Sequence, residues 1–193
     1  MKNLLFFSHN HKKILEVESI FDNKGVKIHT LKSLEKIKEP NENGLSFAEN
    51  AKIKSTFGLK YFDIPCFADD SGICVEAIKN KPGIKSNRFL AKFRTNRGAF
   101  DDIISNVIKT KNDRAFFKTA ICLSINNNHH IVFEGKINGR ISLKPKGSNG
   151  FGYDPIFIPE GYEKTFAEMN IKQKNKISHR KIALMKMESF LFN

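Results

Sequence analysis

Two adjacent carboxylates, Asp69 and Asp70, follow the apolar residues Phe67 and Ala68 and precede Ser71 and Gly72. Burying such a pair is costly for each charge. A divalent cation such as Mg²⁺, which takes one or two carboxylates together with substrate phosphates, relieves that cost. A carboxylate in this place can also accept a proton from an attacking water. The competing reading is an Asp-rich turn before glycine. The position after a short buried strand favours a site, because ligands of open α/β sheets lie at the carboxyl ends of strands.

Three further stretches carry chemistry. Ser8-His9-Asn10-His11-Lys12-Lys13 stands where an apolar strand hands over to a helix. Helix N-termini offer free amides and partial positive charge to a polyphosphate, and Lys13 on the first turn adds a full charge. The plainer alternative is an Asn-capped turn with surface lysines. Asn50 and Lys54, four residues apart, share a helix face downstream of Glu39 and Glu42 in a polar loop. They read equally as ordinary surface residues.

In the last stretch, Gly147 to Pro155, glycines let the backbone bend closely around a ligand. Phe151 and Tyr153, either side of Gly152, offer stacking faces, and Asp154 can accept base N–H groups. Lys174 to Arg180 follows, with His179 and Arg180 as donors to a base carbonyl or a phosphate. The alternatives are a loop plugged by aromatics and a basic helix start.

The elements that must position these residues are legible in the periodicity. Leu4 to Phe7 reads as a buried strand. A helix from Asn10 carries Ile14, Val17 and Phe21 and closes at Asn23-Lys24-Gly25, and residues 26 to 28 alternate as a strand. Residues 33 to 45 read as a loop. Ser46 to Glu49 is a capping box opening a helix whose buried face is Ile53, Phe57 and Tyr61. Residues 65 to 68 form a strand, 69 to 72 a turn, and Ile73, Val75 and Ala77 alternate again. Gly98 to Lys111 is an amphipathic helix. Residues 117 to 125 and 131 to 133 form a hairpin turned by Asn126 to Asn128. Ile156 to Ile158 is a short strand, and Ser178 caps a last helix through Leu191. The class is α/β with a mixed sheet.

A chain of 193 residues with 40% hydrophobic composition and 18 Phe supports one domain spanning residues 1 to 193. The net charge of +13 suits a polyanionic partner, but the lysines are dispersed and show neither a nucleic-acid module nor a one-faced stripe. A stable nucleic-acid partner is therefore not expected. Three cysteines without a C-x-x-C pair argue against a disulfide framework or zinc and suit a reducing cytosol. The N-terminal apolar run is too short for a signal peptide, and no stretch approaches a membrane span. A soluble cytoplasmic protein is expected.

Taken in order, these stretches resemble the inosine triphosphate pyrophosphatase family. The matches are Ser8-His9-Asn10-x-x-Lys13, the block from Gly44 to Lys54, Ala68-Asp69-Asp70-Ser71-Gly72 and Pro82-Gly83-Ile84-x-Ser86-x-Arg88. They continue as Phe133-Glu134-Gly135, Gly150-Phe151-Gly152-Tyr153-Asp154-Pro155-Ile156-Phe157, Phe166-Ala167-Glu168-Met169 and Ser178-His179-Arg180. The likeness runs end to end. Ser8-His9-Asn10 stands where the family often has Thr-Gly-Asn, Lys85 where Tyr is usual and Asn87 where Ala is usual.

The resemblance implies an elongated mixed-sheet α/β fold with two lobes flanking a central nucleotide cleft, assembled as a homodimer. It implies Mg²⁺-dependent hydrolysis of purine nucleoside triphosphates with deaminated bases (ITP, dITP and XTP) to a monophosphate and pyrophosphate. Residues 8 to 13 (Ser8, His9, Asn10, His11, Lys12 and Lys13) with Asn50 and Lys54 would hold the triphosphate. Asp70 would bind metal and accept a proton from water, and Glu42, closer to the motif than Glu39, would complete the metal site. Ser71, Phe151, Gly152, Tyr153, Asp154, Lys174, His179 and Arg180 would line the nucleotide site, with His179 and Arg180 meeting the purine 6-carbonyl. The alternatives are a related pyrophosphatase for modified or pyrimidine nucleotides and a basic nucleic-acid-binding protein.

Overall fold

The computed structural model describes residues 3–22, 25–31 and 37–192. The chain divides into two compact units, residues 1–70, 119–135 and 180–193 in the first, and 71–118 and 136–179 in the second.

In the first unit β1 (Asn3–Phe6) pairs in parallel with β2 (Lys27–Thr30) and with the start of β3 (Cys66–Val75). The sheet then continues through β5 (Arg114–Asn126) and β6 (His129–Ile141). Leu4 to Phe7 is an unbroken apolar run because both faces of the strand are covered there. Leu4 and Phe6 pack with Ile14, Val17 and Ile20 of α1 (His11–Phe21) and with Ala183, Leu184 and Met187 of α6 (His179–Phe192). Leu5 and Phe7 pack on the other side with Leu59 of α2 (Phe47–Phe62), Cys66 and Ala68.

In the second unit β3 pairs antiparallel with β4 (Lys81–Pro82), and β6 with β7 (Phe157–Pro159). Here α4 (Asn96–Thr110) lays Phe100, Ile103, Ile104 and Val107 against Ile73, Val75, Phe117 and Phe157. Two short helices, α3 (Ser86–Leu90) and α5 (Ile171–Ile177), complete it. Parallel and antiparallel pairs together give the mixed α/β class expected. Among the described residues no helix is long and apolar enough to cross a membrane.

Several local expectations are corrected. Residues 69 to 72 are not a turn: β3 runs unbroken through them to Val75. Ala77, expected to continue a strand, lies in a 3₁₀ turn. The strand persists because Asp69 finds cationic partners and Thr119 Oγ1 donates to the Asp70 carbonyl at 3.2 Å.

The buried face of α2 is also not the one read from Ile53, Phe57 and Tyr61; Tyr61 is 55% exposed. The helix instead buries Asn50, Ala51, Lys54, Ser55, Gly58 and Leu59. A Cβ on Gly58 would lie 2.6 Å from Cys66 Sγ and 2.9 Å from Phe7 Cδ2, so the glycine sets how closely α2 approaches the strands. The capping box is half made. Ser46 Oγ accepts from Glu49 N at 3.1 Å, but Glu49 reaches back to Leu45 N at 2.7 Å. The hairpin strands are longer than read, and β5 starts at Arg114. Asn23 and Lys24, read as a helix stop, and residues 33 to 36 of the expected loop lie outside the described residues.

Candidate active site

The first unit gathers around the middle of β3 the residues expected to hold the triphosphate. Asn10 caps α1 by accepting from the backbone N–H groups of Lys12 and Lys13 at 3.0 and 3.3 Å. That cap fixes the first turn, so Lys13 points across to β3 with Nζ 3.0 Å from each Asp69 oxygen. Ser8 is buried and accepts from Asn10 N at 3.2 Å. His11 and Lys12 are exposed. His9, in the family's usual glycine position, turns its Nδ1 to Glu39 at 2.9 Å.

Asp69 is held from a second side by Arg180, whose Nε and Nη2 donate to Oδ2 at 3.2 and 3.1 Å. Arg180 Nη1 donates to Glu16. Lys13, Arg180, Asp69 and Glu16 thus form a charge-balanced cluster with Arg180 and Asp69 each 2% exposed. Such burial is tolerable only because every charge is matched. Burial works against the Arg180 guanidinium, yet Glu16 and Asp69 outweigh it and keep it charged. Burial also pushes the Lys13 ammonium below the ordinary lysine value despite Asp69, and the charges of Lys54 and Arg180 add to the depression.

Asp70 is set differently. Its Oδ2 accepts from Asn50 Nδ2 at 3.0 Å, while Asn50 Oδ1 accepts from Gly44 N at 2.9 Å. Asn50 is fully buried and ties the loop before α2 to the Asp70 carboxylate. Lys54, one turn on, is ion-paired with Glu42 at 2.7 Å. Burial pushes the Asp70 carboxyl above the usual range, against Lys54 and Asn50, and the charge of Glu42 adds to the rise. For Lys54 burial alone would lower the ammonium, but Asp69, Glu42 and Asp70 prevail and raise it.

The charge of Glu42 makes ionised Asp70 costlier, a cost that a divalent cation relieves. Among the described residues no cluster of three or more His, Cys, Asp or Glu could hold a metal. Asp70 and Glu42 offer oxygen donors of the kind that Mg²⁺ takes together with water and phosphate.

The second unit holds the remaining candidates. Gly150, with φ +73°, lets the chain turn under Asp154: a Cβ there would sit 2.0 Å from Asp154 Oδ2. That oxygen accepts from Phe151 N at 2.8 Å and from Lys174 Nζ at 2.6 Å. Lys174 Nζ also lies 4.6 Å from the centre of the half-buried Phe151 ring, a cation–π contact. Gly152 is half-buried beside it, and Ser71 is half-buried on β3. Tyr153 is a core residue, not a solvent-facing stacking surface, and its hydroxyl donates to the Ser86 carbonyl at 2.9 Å. His179 is buried with its ring stacked on Phe117 at 4.8 Å and 8°. The glycine stretch leans on Phe166 to Met169, since Asn149 N donates to the Ala167 carbonyl and Asn149 Nδ2 to that of Met169.

The model of the Ham1 family matches residues 4–190. The chain belongs to the Ham1 family. This Ham1 protein is 37% identical to the dITP/XTP pyrophosphatase of Flavobacterium psychrophilum over 98% of this chain and 99% of the relative. It is 39% identical to that of Aquifex aeolicus over 98% and 96%. A HAM1 protein from Coxiella burnetii superposes with a TM-score of 0.90 at 30% identity, covering 100% of this chain and 99% of that one. The Staphylococcus aureus Ham1 protein gives 0.86 at 33%, covering 98% of each.

Glu16 is the residue of this Ham1 protein that motif reading missed. Its signal was present: it lies three residues after Lys13 and four before Ile20, so it falls inside the buried arc of α1. An acid at that spacing requires a partner.

Proposed function

We propose that this Ham1 protein hydrolyses purine nucleoside triphosphates carrying deaminated bases, ITP, dITP and XTP, to the monophosphate and pyrophosphate. The observation that carries the reading is the convergence of Lys13, Lys54, Asp70 and Glu42 at the N-terminal end of α1. Two cations and two carboxylates there match a triphosphate with its metal. The names of the relatives, dITP/XTP pyrophosphatase, support the same substrate class.

Mg²⁺ held by Asp70 and Glu42 would neutralise phosphate oxygens and lower the barrier to attack. Asp70, with its basicity raised by burial, takes a proton from the water that attacks the α-phosphorus. The bond to the bridging oxygen breaks and pyrophosphate leaves. Lys54 and Lys13 stabilise the charge that develops on the phosphates. Asp69 holds Lys13 in place and Asn50 orients Asp70. Phe151, Lys174 and His179 form the base end of this reading. Arg180, engaged by Asp69 and Glu16, acts by positioning them.

The same reading takes the assembly as a homodimer working in the cytoplasm, which sedimentation and cell fractionation check. Incubation with ITP and Mg²⁺ tests the chemistry. IMP and pyrophosphate are expected; IDP and phosphate would mean that a different bond is cut.

A further inference from the structure

The 3₁₀ turn Glu76–Ile78, β4, α3 and α4 line an open hollow of about 960 Å³ within the second unit. Five of its 12 lining residues are Lys or Arg. They are Lys79, Lys81, Lys85, Arg88 and Lys92, all exposed. Among the described residues none of the five carries an ion pair; Arg88 Nη2 reaches only the Ile84 carbonyl at 3.5 Å. The lining includes one acid, Asp102 on α4. The floor is apolar, made by Ile78, Pro82, Ile84 and Phe89, with the Phe89 ring braced by Phe93 at 5.3 Å.

Five cations against one acid sustain a local positive potential that a polyanion relieves. The volume lies at the upper end of small-molecule sites, about 300–1,000 Å³, and an apolar floor with polar groups at the edge is their usual construction. A stable protein partner would need about 800 Å² of matched surface on each side. A second copy of this chain would set the cationic rim against itself. A planar base on an apolar floor, with phosphates at a basic rim, satisfies both features.

We propose that this hollow is a second nucleotide site, taking the phosphates of a nucleoside polyphosphate on Lys79, Lys81 and Lys92 and its base against Ile84 and Phe89. It shares no residue with the Lys13–Asp70 array and does not depend on the hydrolytic reading. The consequence is a nucleotide-binding event that persists when the array is disabled.

Calorimetric titration with α,β-methylene ATP, which resists cleavage between the α- and β-phosphates, tests this in wild type, Lys54→Met and a Lys81→Glu/Lys92→Glu double variant. A binding event of one nucleotide per chain should survive Lys54→Met. In the double variant it should weaken at least about tenfold, equivalent to about 1.4 kcal/mol, with ITP turnover and melting temperature unchanged. Binding that is unaffected by the double variant overturns the proposal. So does inorganic triphosphate binding the hollow as tightly as the nucleotide, because the floor then reads no base. An acidic peptide that binds more tightly than the nucleotide, and only when Lys81 and Lys92 are intact, overturns it in favour of a protein partner.

Discussion

Arg180 grips Asp69 through two hydrogen bonds to a single oxygen, Nε and Nη2 lying 3.2 and 3.1 Å from Oδ2. Lys13 occupies the other side of the same carboxylate at 3.0 Å. The two neighbouring aspartates are therefore not equivalent. Asp69 is held by two cations, while Asp70 is set by the neutral amide of Asn50 and its carboxyl is pushed up by burial, as the proposed proton transfer from water requires. Alternation along β3 separates the two roles, since successive side chains leave opposite faces of a strand.

Arg180→Ala takes the guanidinium away from the buried carboxylates of Glu16 and Asp69, leaving Lys13 on Asp69. Breaking one side of a buried ion pair costs about 3–5 kcal/mol, so a large drop in the denaturant midpoint is expected. Arg180→Lys should recover only part, because an ammonium cannot reproduce the guanidinium fork. Specificity constants for ITP and ATP measured alongside separate anchoring from base reading. A variant as stable as wild type whose ITP-to-ATP ratio collapses would return Arg180 to the base.

Asp70→Asn should lower turnover by about 10²–10⁴, the usual contribution of a general base, without harming the fold. Burial raises the folded-state value of this carboxyl above its unfolded value. Its contribution to stability is therefore full below the unfolded value and is lost as pH rises through the folded one. At pH 7 the ionised Asp70 works against folding, and the neutral amide escapes that penalty. In chelator-containing buffer the variant should melt at or above the wild-type temperature at pH 7, with the gap closing towards acid pH. A lower melting temperature at pH 7 would remove the desolvated-base account.

The starts of some helices and the buried runs are legible in the sequence because they depend on local chemistry. Asn10 caps α1, and Phe100 to Val107 recur at helical period. The Asp69–Gly72 stretch was misread because turn composition is a local signal, whereas what keeps those residues in a strand is remote: Lys13, Thr119 and Arg180. The same holds for α2. Its apolar Ile53, Phe57 and Tyr61 suggested the core face, but the helix turns its small and functional residues inward, where Gly58 permits close approach and Asn50 and Lys54 meet Asp70 and Glu42. Motif spacing revealed which residues matter; it could not distinguish a residue that faces ligand from one that, like Tyr153 or Asn50, is held within the protein.

Glu42→Gln removes a carboxylate from the proposed metal site and the partner of Lys54. The Mg²⁺ concentration for half-maximal turnover should rise about 10–100-fold, the range for losing a supporting group at a metal site. Glu39→Gln, whose carboxylate faces the exposed His9, should leave it unchanged. Metal titrations of turnover for both variants decide between the two glutamates. Equal shifts would mean that neither is specific to the metal.

Gly58→Ala sets two effects against each other. Alanine is favoured over glycine inside a helix by about 0.8–1 kcal/mol. The added methyl, however, would lie 2.6 Å from Cys66 Sγ on β3 and 2.9 Å from Phe7 Cδ2 just after β1, both buried beneath α2. Overpacking of that kind costs about 1–3 kcal/mol, so net destabilisation is expected. Because α2 also carries Asn50 and Lys54, the strain should displace them from Asp70 and Glu42 and lower turnover more than it weakens substrate binding. Adding Cys66→Ala removes the nearest clashing atom. The two substitutions together should be less destabilising than the sum of each alone, with part of the turnover restored. Strict additivity in a double-mutant cycle would show that the Gly58–Cys66 contact does not set the position of the helix.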